Sequence, residues 1–168
     1  MRDRVLYTVG YEGAGLSDFL SVLQYHKIRQ VIDVRDLPLS RKRGFSKNAL
    51  AAALAELGIA YLHLKSLGDP KPGREAARSG DIAGFRRIYG QHISGSVAKA
   101  GLIEAAKAAR KTTSSLLCYE RDHSDCHRAI IAEKLKGEFT VQHIAVTLPV
   151  TKRRKTANDH TAGPLAYG

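Results

Sequence analysis

Eleven consecutive residues, Cys118-Tyr119-Glu120-Arg121-Asp122-His123-Ser124-Asp125-Cys126-His127-Arg128, hold both cysteines of the chain, two histidines, three carboxylates and two arginines. Ser114-Ser115-Leu116-Leu117 before them reads as the end of a buried strand, and Ile130, Ile131 and Leu135 after them have helical spacing. A connecting turn has no structural need of so much titratable chemistry. With Asp125 as N-cap, Cys126, His127 and Arg128 fall in the first helical turn. Free backbone N–H groups and the positive end of the helix dipole then meet the reactive side chains, an arrangement that suits an anion, a reactive thiol or both.

Glu120 beside Arg121 and Arg128 is a candidate general acid or base, its pKa set by burial against the guanidinium charges; the plain alternative is an ion pair tying strand to helix. Asp33 ends the apolar run Val31-Ile32-Asp33-Val34, where an unpaired carboxylate would be expensive, and Arg35 shares its face two positions on. The pair is either catalytic or an internal brace. Cys126 at a helix N-terminus is a candidate nucleophile with His127 as its neighbour, whereas Cys118 at a strand end fits a small buried side chain. Zinc at Cys118, Cys126 and His127 is not favoured. The spacing matches no common finger, no second cysteine pair exists, and His123 or His63 would have to complete the set.

The elements that must position these residues alternate. Val5–Val9 is a strand stopped by the glycine-rich turn Gly10-Tyr11-Glu12-Gly13-Ala14-Gly15, whose spacing fits neither a dinucleotide fingerprint nor a Walker sequence. A helix capped by Ser17 carries Phe19, Leu20, Val22 and Leu23 inward. After the second strand comes the basic loop Arg35–Ser46, where Arg41, Lys42 and Arg43 precede Phe45. That aromatic either stacks on a base or packs before Ser46, the cap of a helix over 47–57 closed by Gly58. Residues 59–64 form a third strand and 65–80 a long loop without hydrophobic period. Helices follow near 82–89 and over 97–111, then the strand ending at Cys118, its helix, and a fifth strand over 139–146. Strand and helix in alternation predict a single-domain three-layer α/β sandwich, with a mostly parallel sheet of about five strands and helices on both faces.

In such sheets ligands sit beyond the carboxyl ends of the strands. Gly10, Tyr11, Asp33, Arg35, His63 and the Cys118–Arg128 stretch all follow strand ends, so they are expected to line one cleft, with Ser40 and Arg41 on its rim. The folded domain is expected over 1–148, and 149–168, with its Lys152-Arg153-Arg154-Lys155 run, as a basic flexible tail.

The net charge of +11 favours a polyanionic partner, while the apolar fraction of 43% is that of an ordinary globular protein. Two cysteines make no disulfide framework, and no leader or membrane span is visible, so a cytoplasmic protein with reduced thiols is expected. Nothing in the sequence sets an oligomeric state.

Thr8-Val9-Gly10-Tyr11, Asp33-Val34-Arg35, Pro38 with Ser40-Arg41 and Phe45, Tyr61-Leu62-His63-Leu64 with Leu67-Gly68, and Cys118-Tyr119-Glu120-Arg121 with Cys126-His127-Arg128 together resemble the family catalogued as domain of unknown function 488. The resemblance spans about Val5 to Val146; Tyr11 departs from it, since many members have histidine there. It implies a small cytoplasmic α/β domain with a polar cluster, and no established reaction.

Three functions stand open. One is an enzyme acting on a phosphate-bearing substrate, nucleotide or nucleic acid (DNA or RNA), by hydrolytic or glycosidic chemistry. In it Glu120 or Asp33 is acid or base and Arg35, Arg41, Arg121 and Arg128 hold the anion, without a cofactor. Another is a nucleic-acid-binding module without chemistry. The third is a sulfur transferase, since the Asp33 strand and a cysteine before a helix are similar to rhodanese domains, although the Cys118–Arg128 loop is too long for their anion cradle.

Overall fold

The computed structural model describes residues 3–147, so the basic tail over 149–168 lies outside the described residues. Five strands, β1 (Val5–Gly10), β2 (Gln30–Asp33), β3 (Ala60–His63), β4 (Ser114–Cys118) and β5 (Thr140–Ala145), form one all-parallel sheet in the order β3-β2-β4-β1-β5. The expected α/β sandwich is therefore what the chain builds. β4 is central and every one of its residues is buried, which is why its sequence lacks polar alternation.

Among the described residues six helices cover the sheet: α1 (Leu16–Tyr25), α2 (Lys47–Glu56), α3 (Lys71–Arg78), α4 (Ile82–Ile93), α5 (Ser96–Lys111) and α6 (His127–Leu135). Two separate cores show which face each takes. Leu117 and Val31 pack with Phe19 and Leu23 of α1 and with Leu50 and Leu54 of α2. Leu116, Cys118 and Ile32 pack with Phe85 and Tyr89 of α4, Ala105 of α5 and Ile131 of α6. Successive strand residues thus serve opposite cores, as the two-residue period of a strand requires. Each fully buried leucine, isoleucine or phenylalanine contributes about 1.5–3 kcal/mol, so the two cores dominate the stability of the domain.

The chain leaves β1 toward β2 on one side and leaves β4 toward β5 on the other. That reversal opens a crevice at the carboxyl edge of the sheet. Register brings the strand ends level: Gly10 lies opposite Cys118, and Asp33 lies opposite both His63 and Leu117.

Several local expectations are corrected. The presumed loop over 65–80 contains a 3-10 turn at Lys65–Leu67 and the helix α3. Lys71-Pro72-Gly73-Arg74 hides that helix, because proline and glycine break a helix interior but are tolerated in its first turn, where the N–H groups have no partner. Gly15 rather than Ser17 precedes α1, and Cys126 rather than Asp125 caps α6, its Sγ accepting the Arg128 N–H at 3.5 Å. Ser46 does precede α2, but its hydroxyl donates to the Ser40 carbonyl at 3.2 Å and accepts the Ser40 N–H at 3.0 Å, bracing the basic loop. Among the described residues no helix is long and apolar enough to cross a membrane.

Gly10 is the tightest point of the strand edge: a Cβ there would sit 1.8 Å from the Glu120 carbonyl oxygen. Backbone cannot yield as a flexible side chain does. Gly10→Ala is expected to cost at least about 2 kcal/mol in urea unfolding, whereas Gly15→Ala, with nothing within 4 Å, stays within about 0.5 kcal/mol of wild type.

Candidate functional site

A cleft of about 670 Å³ opens at the carboxyl edge of the sheet. Its floor is the segment after β4, Cys118-Tyr119-Glu120, with His127 from α6. One wall is Tyr11 after β1 and the loop after β2, including Arg35, Asp36, Ser40 and Arg41. Asp69, Arg74 and Arg78 around α3, with Ile82 and Phe85 of α4, complete the lining. The strand ends therefore converge as expected, and Tyr11, Arg35, Ser40, Arg41, Glu120 and His127 share one cavity.

The remaining expected residues support that cavity from behind. Asp33 is fully buried and both oxygens are occupied: Oδ1 accepts the Arg35 Nε–H at 2.9 Å, and Oδ2 accepts Arg35 Nη2 at 2.7 Å and the Tyr61 hydroxyl at 2.5 Å. Burial favours the uncharged arginine, yet the hydrogen bond and charge of Asp33 prevail and hold Arg35 above its ordinary value. Burial and the same carboxylate push the Tyr61 phenol up. Asp33 thus has no lone pair placed for proton transfer; it locks Arg35. The other end of that guanidinium donates to the Phe45 carbonyl at 2.7 Å and to the Tyr11 hydroxyl at 3.2 Å. Phe45 itself is fully buried, stacked on the Tyr11 ring at 4.4 Å and edge-on to Phe19, so it packs rather than offering a face to a base. His63 holds the Arg35 carbonyl through Nε2 at 2.7 Å, outside the cleft.

Arg128 is the second organiser. Its buried guanidinium donates to the Thr8 hydroxyl at 3.2 Å, Cys118 Sγ at 2.8 Å, the Glu120 carbonyl at 2.5 Å and the Arg121 carbonyl at 3.2 Å. It therefore shapes the Cys118–Arg121 turn and does not line the cleft. Burial pushes it down to about 10, with Glu120 and Asp122 opposing. Arg121 is exposed outside the cavity, and its N–H donates to Glu12 at 3.0 Å.

Two reduced thiols were the expectation; Cys118 and Cys126 instead form a disulfide, and no free cysteine remains among the described residues. A nucleophilic Cys126 is therefore not available in this state. Cys118, Glu120 and Cys126 place ligand atoms within 4.8 Å of one another, a different trio from Cys118, Cys126 and His127; joined sulfurs are not thiolates, the form that binds metal. Burial and the Arg128 charge outweigh the Val34 carbonyl and push His127 down to about 4. Its Nε2–H donates to that carbonyl at 2.7 Å, leaving the Nδ1 lone pair 3.6 Å from Cys126 Sγ.

The residue that sequence reasoning missed is Asp69. It is buried, lines the cleft, and its Oδ1 is the one buried side-chain polar atom without a hydrogen-bond partner among the described residues. Burial, reinforced by Glu120 and Asp36 and opposed by Arg74, pushes its carboxyl up to about 7. Arg74 is committed elsewhere, donating to Asp36 and to the Asp69 carbonyl, each at 2.6 Å. The signal in the sequence was Leu67-Gly68-Asp69-Pro70, a turn just after a strand end. Gly68 is obligatory there because a Cβ would lie 2.4 Å from the Asp36 backbone.

The chain belongs to the family described as Domain of unknown function DUF488, whose model matches residues 15–135. No curated protein and no solved structure matches it.

Two buried groups set the pH dependence of stability in opposite directions. Asp69 holds its proton in the folded state up to about 7 against 3.8 ordinarily, so stability falls as pH rises through that window. His127 refuses a proton down to about 4 against 6.5, so its contribution is lost as pH falls from 6.5 to 4. Asp69→Asn removes the first effect alone. Urea unfolding across pH is expected to show the variant more stable than wild type at pH 8, with a steeper rise between pH 4 and 6.5.

Proposed function

We propose that this member of the family is a cytoplasmic enzyme that acts on a phosphate-bearing substrate, a nucleotide or nucleic acid, bound in the strand-edge cleft. The observation that carries the reading is Asp69, a buried carboxyl among the residues lining the cleft, with one oxygen unpartnered and its proton retained to about 7. A carboxylic acid still protonated near neutral pH can give that proton to a leaving oxygen or nitrogen. Glu120 on the floor is the second carboxyl group, and its role is to take the proton of an attacking water. Two carboxyls across one cavity are the equipment of hydrolytic or glycosidic chemistry.

Arg41 and Arg78 supply the anion contact. Both line the cleft, and neither enters an ion pair among the described residues. Arg35 and Arg74 also line the cleft but are neutralised by Asp33 and Asp36. The net charge of +11 extends that attraction beyond the cleft. Leu37 and Leu39, exposed in the cleft lining, give an apolar surface for a base or sugar.

Binding of a labelled single-stranded oligonucleotide, read by anisotropy over a salt series, tests the anion site. Arg41→Ala is expected to weaken it and lower the slope of log affinity against log salt by about 1. Salt-independent binding would remove phosphate from the reading. For chemistry, the oligonucleotide and mononucleotides are assayed for released base, released phosphate and strand breaks. Glu120→Gln and Asp69→Asn are each expected to cut turnover at least about 100-fold with affinity retained, and wild-type turnover declines as pH rises through about 7, where Asp69 loses its proton. Wild-type binding without any product would leave a non-catalytic nucleic-acid-binding module.

A further inference from the structure

Both sulfurs of the Cys118–Cys126 disulfide are held by groups that favour a thiolate over a neutral sulfur. Arg128 Nη1 donates to Cys118 Sγ at 2.8 Å, and the Arg128 backbone N–H donates to Cys126 Sγ at 3.5 Å from the first turn of the nine-residue helix α6. A disulfide sulfur is a weak, uncharged acceptor, so these donors gain most when the bond is broken and two thiolates appear. Both cysteines are buried in the same core, and they differ in one respect: Cys118 lines the cleft, whereas Cys126 is not among its lining residues.

We infer that Cys118 and Cys126 are a redox-active pair that exchanges with a dithiol entering the cleft, Cys118 being the sulfur attacked. One thiolate of the dithiol attacks Cys118 Sγ, forming a mixed disulfide as the bond to Cys126 breaks. The departing Cys126 thiolate is received at the N-terminus of α6. The second thiolate of the dithiol then attacks its own mixed-disulfide sulfur, and Cys118 leaves as a thiolate against Arg128. The dithiol becomes a disulfide, the pair gains two electrons, and the two protons of the dithiol pass to solvent or to the new thiolates. The activity is independent of the phosphate reading, since it needs no ligand besides the dithiol. It also accounts for a disulfide in a protein placed in the cytosol, where such bonds are usually transient, catalytic or sensing.

The test uses the full chain and a graded series of reduced and oxidised dithiothreitol without oxygen, quenched with N-ethylmaleimide and weighed by mass spectrometry. The expected result is one transition from no adducts to two, with no singly labelled chain accumulating. Two adducts at every ratio, or none at every ratio, would overturn the inference. Cys126→Ser, challenged with glutathione disulfide, is expected to collect one glutathione on Cys118. The same reaction at Cys126 in Cys118→Ser is expected to be at least about tenfold slower, because the remaining thiol does not line the cleft through which the disulfide enters. Faster capture at Cys126 would overturn the assignment of the attacked sulfur, and should either variant fail to fold, as read by circular dichroism, the wild-type titration decides alone.

Discussion

A guanidinium taken out of water must find an acceptor for each of its donors, and this sheet edge buries two of them. Arg35 is answered by Asp33, Tyr11 and the Phe45 carbonyl, which draws the turn after β1 and the loop after β2 onto β2 itself. Arg128 is answered by Thr8, Cys118 and two consecutive carbonyls, which draws the turn after β4 over β1. Three loops that share no sequence neighbourhood are thereby held at fixed positions around one opening. Without these two residues the strand ends would still be level, but the segments beyond them would be held chiefly by the bonds of Glu12 to the Tyr119 carbonyl and the Arg121 N–H.

The same requirement decides which acids remain for chemistry. Asp33 is consumed by Arg35 and Tyr61, so the most deeply buried carboxylate of the site is structural, and the catalytic reading passes to the carboxyl groups that line the cleft. Phe45 follows the same logic: its carbonyl serves Arg35, and its ring fills the space beneath Tyr11. Residues that looked like ligands from their types are thus the frame, one layer behind the surface that a ligand would meet.

The fold was legible because Val31-Ile32 and Leu116-Leu117 are continuous apolar runs, which parallel central strands need, and because helices of amphipathic period separate them. Convergence of Tyr11, Arg35 and Glu120 followed from topology alone. What sequence could not reveal was depth. Nothing local distinguishes Asp33, with both oxygens filled, from Asp69, with one empty; that difference arises from Tyr61 and from the seating of α3 on Gly73, where a Cβ would fall 2.1 Å from Asp69 Oδ1. The helix α3 was itself concealed by Pro72 and Gly73, the two residues that let it begin so close to the carboxyl group. The disulfide was equally illegible, because a spacing of eight residues in a chain with two cysteines is as compatible with free thiols as with a bond.

Asp69 keeps its proton chiefly because it is buried, and the guanidinium that opposes this, Arg74, is already spoken for. Arg74 is the nearest in effect, but its charge is shared with Asp36 at 2.6 Å, and Asp36 itself pushes in the opposite direction. Arg35 is neutralised by Asp33 in the same way. Pairing each inward guanidinium with its own carboxylate therefore does two things at once. It makes burial of the cations tolerable, and it limits the pull of Arg74 on the Asp69 proton. An Arg74 without Asp36 would anchor an anion more strongly yet favour the carboxylate form of Asp69, which repels that anion and has no proton to give. The arrangement of paired cations near the acid, with Arg41 and Arg78 outside those pairs on the cleft lining, is compatible with the proposed anion binding and acid catalysis in a single cleft.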